Sequence, residues 1–163
     1  MSWSRRKFLL AGAATLGLAA CGFTPVHAPG GPGQRLQGKV RAADPRTIED
    51  FAFVRRITER LGPPEAEDYE LAYNLRLATV PQAITTRQIT TRYALNGSAD
   101  FTLTRIATGQ VVAQGQVNNF TSYSTTGTTI ATMSAEQDAH DRLARMLADQ
   151  VVTRLYGAAG TAT

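Results

Sequence analysis

From Asp68 onward apolar and polar residues alternate strictly. Tyr69, Leu71, Tyr73, Leu75 and Leu77 fall on one side and Glu70, Ala72, Asn74, Arg76 and Ala78 on the other, which is the period of a strand with one buried face. Pro81 is expected to end this strand, with a polar connection following through Gln82, Thr85, Thr86, Arg87 and Gln88. A second alternation carries Tyr93, Leu95, Gly97, Ala99, Phe101 and Leu103 inward and Arg92, Asn96, Ser98, Asp100 and Thr102 outward, and Thr108-Gly109 supplies a hairpin turn. A third long strand is expected from about Gln110 to Thr125, and a weak one around Leu36 to Val40.

The period lengthens to three or four on either side of these strands. Ile48, Phe51, Val54, Ile57 and Leu61 form one apolar stripe, Arg55, Arg56, Glu59 and Arg60 keep the opposite side wet, and Gly62-Pro63-Pro64 stops the helix. Asp44-Pro45 is expected to open it, since Asp caps free amides and Pro suits a first turn. A final helix is expected to begin at Ser134, whose hydroxyl and the Gln137 side chain make a capping box, and to close at Gly157. Its buried stripe is Ala139, Leu143, Met146, Leu147, Val151 and Leu155. Each strand has a single apolar face, so the helices must cover that face. The order predicts an α+β two-layer sandwich: two helices on one face of a roughly four-stranded, mainly antiparallel sheet.

The amino terminus follows a different grammar. Arg5-Arg6-Lys7 precedes an apolar run of thirteen residues, Phe8 to Ala20, too short for a bilayer-spanning helix, which needs about 20. It reads as a removable signal segment covering residues 1–20. Leu18-Ala19-Ala20-Cys21 places small residues before the chain's single cysteine, as a lipoprotein signal peptidase requires, and the Cys21 thiol accepts lipid through a thioether. A cysteine with two or three acyl chains stays membrane-bound, because each buried methylene contributes about 0.8 kcal/mol. Residues 21–33 are rich in Gly and Pro and read as a lipidated flexible leash; the single domain then spans 34–163. Ser4-Arg5-Arg6-Lys7-Phe8-Leu9 also fits a twin-arginine export signal, while a cationic start suits general secretion equally. Replacing Arg5 and Arg6 by lysine separates the two: export of the double variant continues by general secretion and stops by the twin-arginine route.

Charge narrows the partners. The full chain carries seventeen basic and thirteen acidic residues, but Arg5, Arg6 and Lys7 leave with the signal, so the mature chain is nearly neutral. No clustered basic surface of the kind nucleic acid requires remains. With Cys21 acylated, no thiol is left for a disulfide and stability must come from the core. His27 and His140 lie far apart in sequence, one in the leash and one on a helix, so no metal site is expected. There is no G-x-S-x-G elbow, phosphate-binding glycine loop or H-E-x-x-H, and no catalytic residue or cofactor is assigned. What stands out is a polar, β-branched surface. Thr79, Thr85, Thr86, Thr90 and Thr91 cluster at the first hairpin, and Thr121, Ser122, Ser124, Thr125, Thr126, Thr128 and Thr129 lie along and beyond the third strand. Such a surface suits either bulk water or the polar interior of an outer-membrane barrel.

Leu18-Ala19-Ala20-Cys21-Gly22-Phe23-Thr24-Pro25-Val26, the Leu61-Gly62 helix stop, the Tyr69-x-Leu71 strand, the Thr108-Gly109 hairpin and the terminal helix after Ser134 together resemble the LPS-assembly lipoprotein family, LptE. The resemblance extends over essentially the whole mature chain. It implies two helices against a four-stranded sheet, anchorage to the periplasmic side of the outer membrane, and a partner barrel, LptD. In that family the lipoprotein plugs the barrel, supports its assembly and helps deliver lipopolysaccharide to the outer leaflet. Gly22 after the acylated cysteine fits sorting to the outer membrane. The family's attribution of lipopolysaccharide contact to basic strand and loop residues makes Arg76, Arg87 and Arg92 the candidates here, because guanidinium groups pair well with phosphates. An auxiliary lipoprotein of an ABC-type lipid transport system, and a lipoprotein enzyme or small-ligand binder, are the alternative readings.

Overall fold

The computed structural model describes residues 25–84, 90–125 and 127–161. The signal segment, Cys21 and Arg87 lie outside them. In chain order the elements are α1 (Pro32–Leu36), β1 (Val40–Ala42), α2 (Ile48–Leu61), β2 (Tyr69–Ile84), β3 (Thr90–Arg105), β4 (Gln110–Ser124) and α3 (Thr129–Thr161). The four strands form one sheet in the order β1-β2-β3-β4, in which β1 pairs parallel to β2 through the α2 crossover and the other two pairings are antiparallel. This is the expected α+β arrangement. Among the described residues no helix is long and apolar enough to cross a membrane.

The inward strand positions are those the alternation predicts. Leu71, Leu95, Ala99, Phe101, Leu103, Val117 and Tyr123 meet Leu143, Leu147, Val151 and Leu155 of α3 and Phe53, Ile57 and Leu61 of α2 in one core. Gly97 allows that packing to be close. A β-carbon built there would lie 2.9 Å from Leu143 Cδ2 and 3.0 Å from Leu147 Cδ1, so the bare backbone lets α3 seat against the middle of β3. Replacing Leu147, which is fully buried, with alanine is expected to lower unfolding free energy by about 2–5 kcal/mol in a denaturant titration.

Several boundaries differ from the sequence reading, each for a physical reason. Thr47, not Asp44, caps α2: its hydroxyl accepts from the Asp50 amide at 3.1 Å, while Asp50 Oδ2 accepts from the Thr47 amide at 3.1 Å and from Arg46 at 3.0 Å. The stripe on α2 is also rotated. Ile48 and Phe51 are 76% and 62% exposed, whereas Phe53 is fully buried, its ring 4.8 Å from that of Tyr73. Gly62 does end α2, at φ +78°. Pro81 does not end β2, which continues to Ile84 with register shifts after Pro81. β1 reaches only to Leu71, so Pro81 lies on a free edge, where a missing donor costs little. The weak strand is Val40–Ala42, and Leu36 instead closes α1.

The terminal helix is longer than expected at both ends. Thr128 caps it by accepting from the Ala131 amide at 3.3 Å, which leaves Ser134 and Gln137 inside the helix. Gly157 does not close it. A helical glycine costs about 1 kcal/mol, and that cost is offset by burial of Tyr156 and Ala159 on either side of it. The segment 25–33, read as a leash, makes successive turns against this end of α3. Ala28 donates to Pro25 O and Gly31 to Ala28 O, the His27 ring meets Tyr156 edge-on at 5.9 Å, and Arg35 donates to Ala159 O at 3.1 Å.

The helices are joined to each other by ion pairs. Arg56 grips Asp149 with two hydrogen bonds, Nε to Oδ1 at 3.0 Å and Nη2 to Oδ2 at 3.1 Å, and these raise the arginine pKa further. His140 Nδ1 and Glu49 Oε1 lie 2.8 Å apart. Tyr73 is the misfit: its buried hydroxyl has no hydrogen-bond partner among the described residues, and burial, helped by the Asp50 carboxylate, pushes its pKa from 10.0 to about 12. Its folded value exceeds the unfolded one, so the stability linked to the neutral phenol is present below pH 10.0 and is lost between pH 10.0 and about 12. Tyr73→Phe should therefore hold or raise the melting temperature at neutral pH and flatten its fall over that alkaline window, as followed by circular dichroism.

Candidate interaction surface

Because both long helices lie on one face, no element among the described residues covers the other face of the sheet. Its rows can be read from the register: Asn74, Asp100 and Gln116 lie side by side, then Arg76, Ser98 and Asn118, then Ala78, Asn96 and Phe120. The two-residue period puts these short polar side chains outward as the necessary counterpart of the buried set. A shallow depression of about 460 Å³ is lined by Arg76, Ala78, Asn96, Ser98, Asn118 and Phe120. Phe120 is 71% exposed at its edge, an apolar anchor within an amide-rich surface.

Of the sequence-predicted arginines, Arg87 lies outside the described residues, and Arg76 and Arg92 are on this face but not together. Arg76 is paired with Asp100, which in turn accepts from Gln116 Nε2 at 2.8 Å. Its charge is therefore already matched. Arg92 is exposed at the hairpin end of β3, opposite Ser124, and makes no ion pair among the described residues. Ser98, which faces Arg76, is six residues from Arg92 along β3, so the two arginines are about 20 Å apart. No single phosphate reaches both.

The helical side carries features the sequence reading missed. A groove of about 670 Å³ between α2 and α3 is lined by Ile48, Phe51, Arg55, Ser134, Gln137 and His140. The exposed Ile48 and Phe51 meet it from α2, and Ile130 and Met133 are exposed in the first turns of α3. Stripe counting could not find these, since Phe51 and Phe53 are equally apolar and only one can face the sheet. A second cleft, about 890 Å³, runs between β2 and the start of α2, lined by Asp44, Arg46, Asp50, Tyr73, Leu77 and His140. Of its charged groups, Asp50 is committed to the Thr47 cap and Glu49 to His140. Among the described residues no cluster of three or more potential metal ligands occurs.

A family model for LptE, lipopolysaccharide-assembly, matches residues 35–155. The chain belongs to the LptE family. Solved structures with the same fold include a candidate lipoprotein of Caulobacter crescentus CB15, 15% identical with a TM-score of 0.66, covering 79% of this chain and 96% of that one. The rare lipoprotein B of Shewanella oneidensis is 12% identical with a TM-score of 0.57, over 73% and 92% of the two chains. A minor lipoprotein of Acinetobacter baumannii is 13% identical with a TM-score of 0.52, over 73% and 89%. At these identities the likeness is one of fold. No curated protein sequence matches significantly. The LptE model begins in α1 and ends at Leu155 in α3, so family membership rests on the folded sandwich and not on the amino-terminal segment.

Proposed function

We propose that this LptE-family chain is an outer-membrane lipoprotein, acylated at Cys21 and held on the periplasmic side, that plugs an LptD-type barrel, supports its assembly and helps deliver lipopolysaccharide to the outer leaflet. The observation that carries the reading is the family match across the whole sandwich, residues 35–155. The bare outer face agrees with it in chemistry. Amides, hydroxyls and one internally matched ion pair suit the polar lumen of a large barrel, and Phe120 gives such an interface a desolvated anchor. The role is non-enzymatic.

Purifying the acylated protein from gently solubilised outer membranes tests the partner. A large barrel in stoichiometric amount is the expected companion. Inner-membrane transport subunits instead would point to the auxiliary lipoprotein of an ABC-type system, and a Cys21→Ser variant should leave the membrane fraction altogether.

Lipopolysaccharide contact is assigned to Arg76, Arg87 and Arg92, with unequal weights. Arg92 makes no ion pair among the described residues, whereas Arg76 already has Asp100. Arg92→Ala is therefore expected to weaken lipopolysaccharide binding about tenfold, the loss of one charge-assisted contact worth about 1.5 kcal/mol. Arg76→Ala should cost less, and the folded triple alanine variant most. Unchanged titration isotherms for the triple variant would refute the assignment.

A further inference from the structure

The two edges of the sheet are treated differently. At β4, Val112 is left out of the pairing between Val111 and Ala113, the Phe120 amide is held by Asn119 Oδ1 at 2.9 Å, and the Ser122 carbonyl accepts from Arg142 at 3.4 Å. A bulge and covering side chains are ordinary means of blunting an exposed edge. Along β2 they are missing for several residues. β1 covers only residues 69–71, and past the Ala43 amide, which donates to Leu71 O at 2.9 Å, no described backbone pairs with that edge. Pro81 and the register shifts after it blunt β2 only further on. Arg76 does not guard the gap, because its guanidinium turns across the sheet to Asp100 on β3.

Which groups are open follows from the ladder. The Tyr69 amide donates to Lys39 O and Leu71 O accepts from the Ala43 amide, so these alternate residues of β2 face β1, while Asp68 O accepts from Ile106 on the other side. The same alternation turns the N–H and C=O groups of Tyr73, Leu75, Leu77 and Thr79 to the free edge. The side chains of Tyr73, Leu75 and Leu77 are half-buried and line the cleft of about 890 Å³ beside the start of α2. That cleft selects charge. Asp44, Glu49 and Asp50 stand there against Arg46 and His140, and His140 is already bonded to Glu49. Burial and the Asp50 and Asp44 carboxylates raise the Tyr73 pKa, opposed by Arg46, as a net negative field requires. Asp44 is exposed and makes no ion pair among the described residues.

We infer that the β2 edge from Tyr73 to Thr79 takes an extended segment of a different polypeptide by strand addition, with a lysine or arginine of that segment entering the cleft beside Asp44 and Asp50. In strand addition the main-chain hydrogen bonds hold the peptide and a pocket reads alternate side chains, and both parts are present here. The segment would lie in line with β1, in the space left where the chain turns away at Asp44-Pro45 to begin α2. A cationic side chain answers the surplus of carboxylates and leaves the Glu49–His140 pair intact. The edge stands at the side of the sheet, so filling it leaves free the outer face that the plug reading sets against a barrel. The inference does not rest on that reading.

The test titrates the full chain, in detergent, with a synthetic probe, acetyl-Thr-Val-Thr-Lys-Thr-Val-Thr-amide, by calorimetry. Three altered probes accompany it: one with the lysine replaced by glutamate, and two N-methylated at alternate residues, one in each phase. The parent probe should bind saturably. The N-methylated phase whose lost donors would face β2 should bind about tenfold more weakly, while the other phase binds as the parent does. The glutamate probe should also be weaker, and Asp44→Asn should narrow the gap between the lysine and glutamate probes. No saturable binding of the parent probe, equal loss from both N-methylated phases, or indifference to the change of lysine to glutamate would each overturn the inference. A photoreactive benzoylphenylalanine in place of Thr79, in the full chain in its own envelope, then identifies the natural occupant. An adduct with an extended, basic segment of another polypeptide is expected; an adduct with a second copy, or none, would refute the assignment. A barrel that copurifies while no probe binds retires this inference alone, and probe binding without a barrel retires the plug reading alone.

Discussion

The close seating of α3 on β3 is the contact on which the rest of the molecule depends. Gly97 has no side chain, so Leu143 and Leu147 reach the sheet backbone itself, and Val151 and Leu155 then follow along the same face into the core. The apolar area removed from water along this line is the main favourable term holding helix to sheet. α2 is fixed in turn by α3, through Phe53, Ile57 and Leu61 in the shared core and the Arg56–Asp149 clamp at its edge. The clamp orients more than it stabilises, since ion pairs this exposed to solvent contribute little.

One-sided burial has a direct consequence for function. Both long helices occupy the same face, so a sheet with three long strands keeps the other face open. Where that face is uncharged and amide-rich it is chemically compatible with another polar protein surface, and where it carries charge the charge is mostly internal, as in Arg76 with Asp100. Arg92, at the hairpin end, and Glu70, at the opposite end beside Thr104, are exposed and make no ion pair among the described residues. The face is thus divided into an amide-rich middle, in which the one ion pair is matched internally, and single charges at its two ends.

The helical side complicates any account based on the sheet alone. Ile48, Phe51, Ile130 and Met133 are exposed near the start of both long helices instead of joining the core, and Ile48 and Phe51 line a groove between those helices. Their position at one end of the helix pair, opposite the amino-terminal turns that pack on the far end of α3, gives the helix pair an axis: amino-terminal turns at one end, apolar helix starts at the other.

Strand faces were legible from residue order because the two-residue period leaves no freedom: once Leu95 is buried, Ala99, Phe101 and Leu103 must be too. The α2 stop at Gly62, the Thr108-Gly109 hairpin, and the α3 stripe were legible for similarly local reasons. Helix rotation was not, because α2 offers both Phe51 and Phe53, and the choice fell to whichever could meet Tyr73 across the layer. Helix ends were not legible either: Thr128 and Ser134 are both competent caps, and α3 runs past Gly157 because the amino-terminal turns bury Tyr156 and Ala159. The arginines could be named from sequence, yet their separation along β3 and the neutralisation of Arg76 by Asp100 follow from strand register. Periodicity alone determined which side of each element is apolar; which of two equivalent residues is buried, where each helix stops and which charges are spent came only from contacts between segments distant in the chain, because those choices differ by a few kcal/mol that local sequence does not contain.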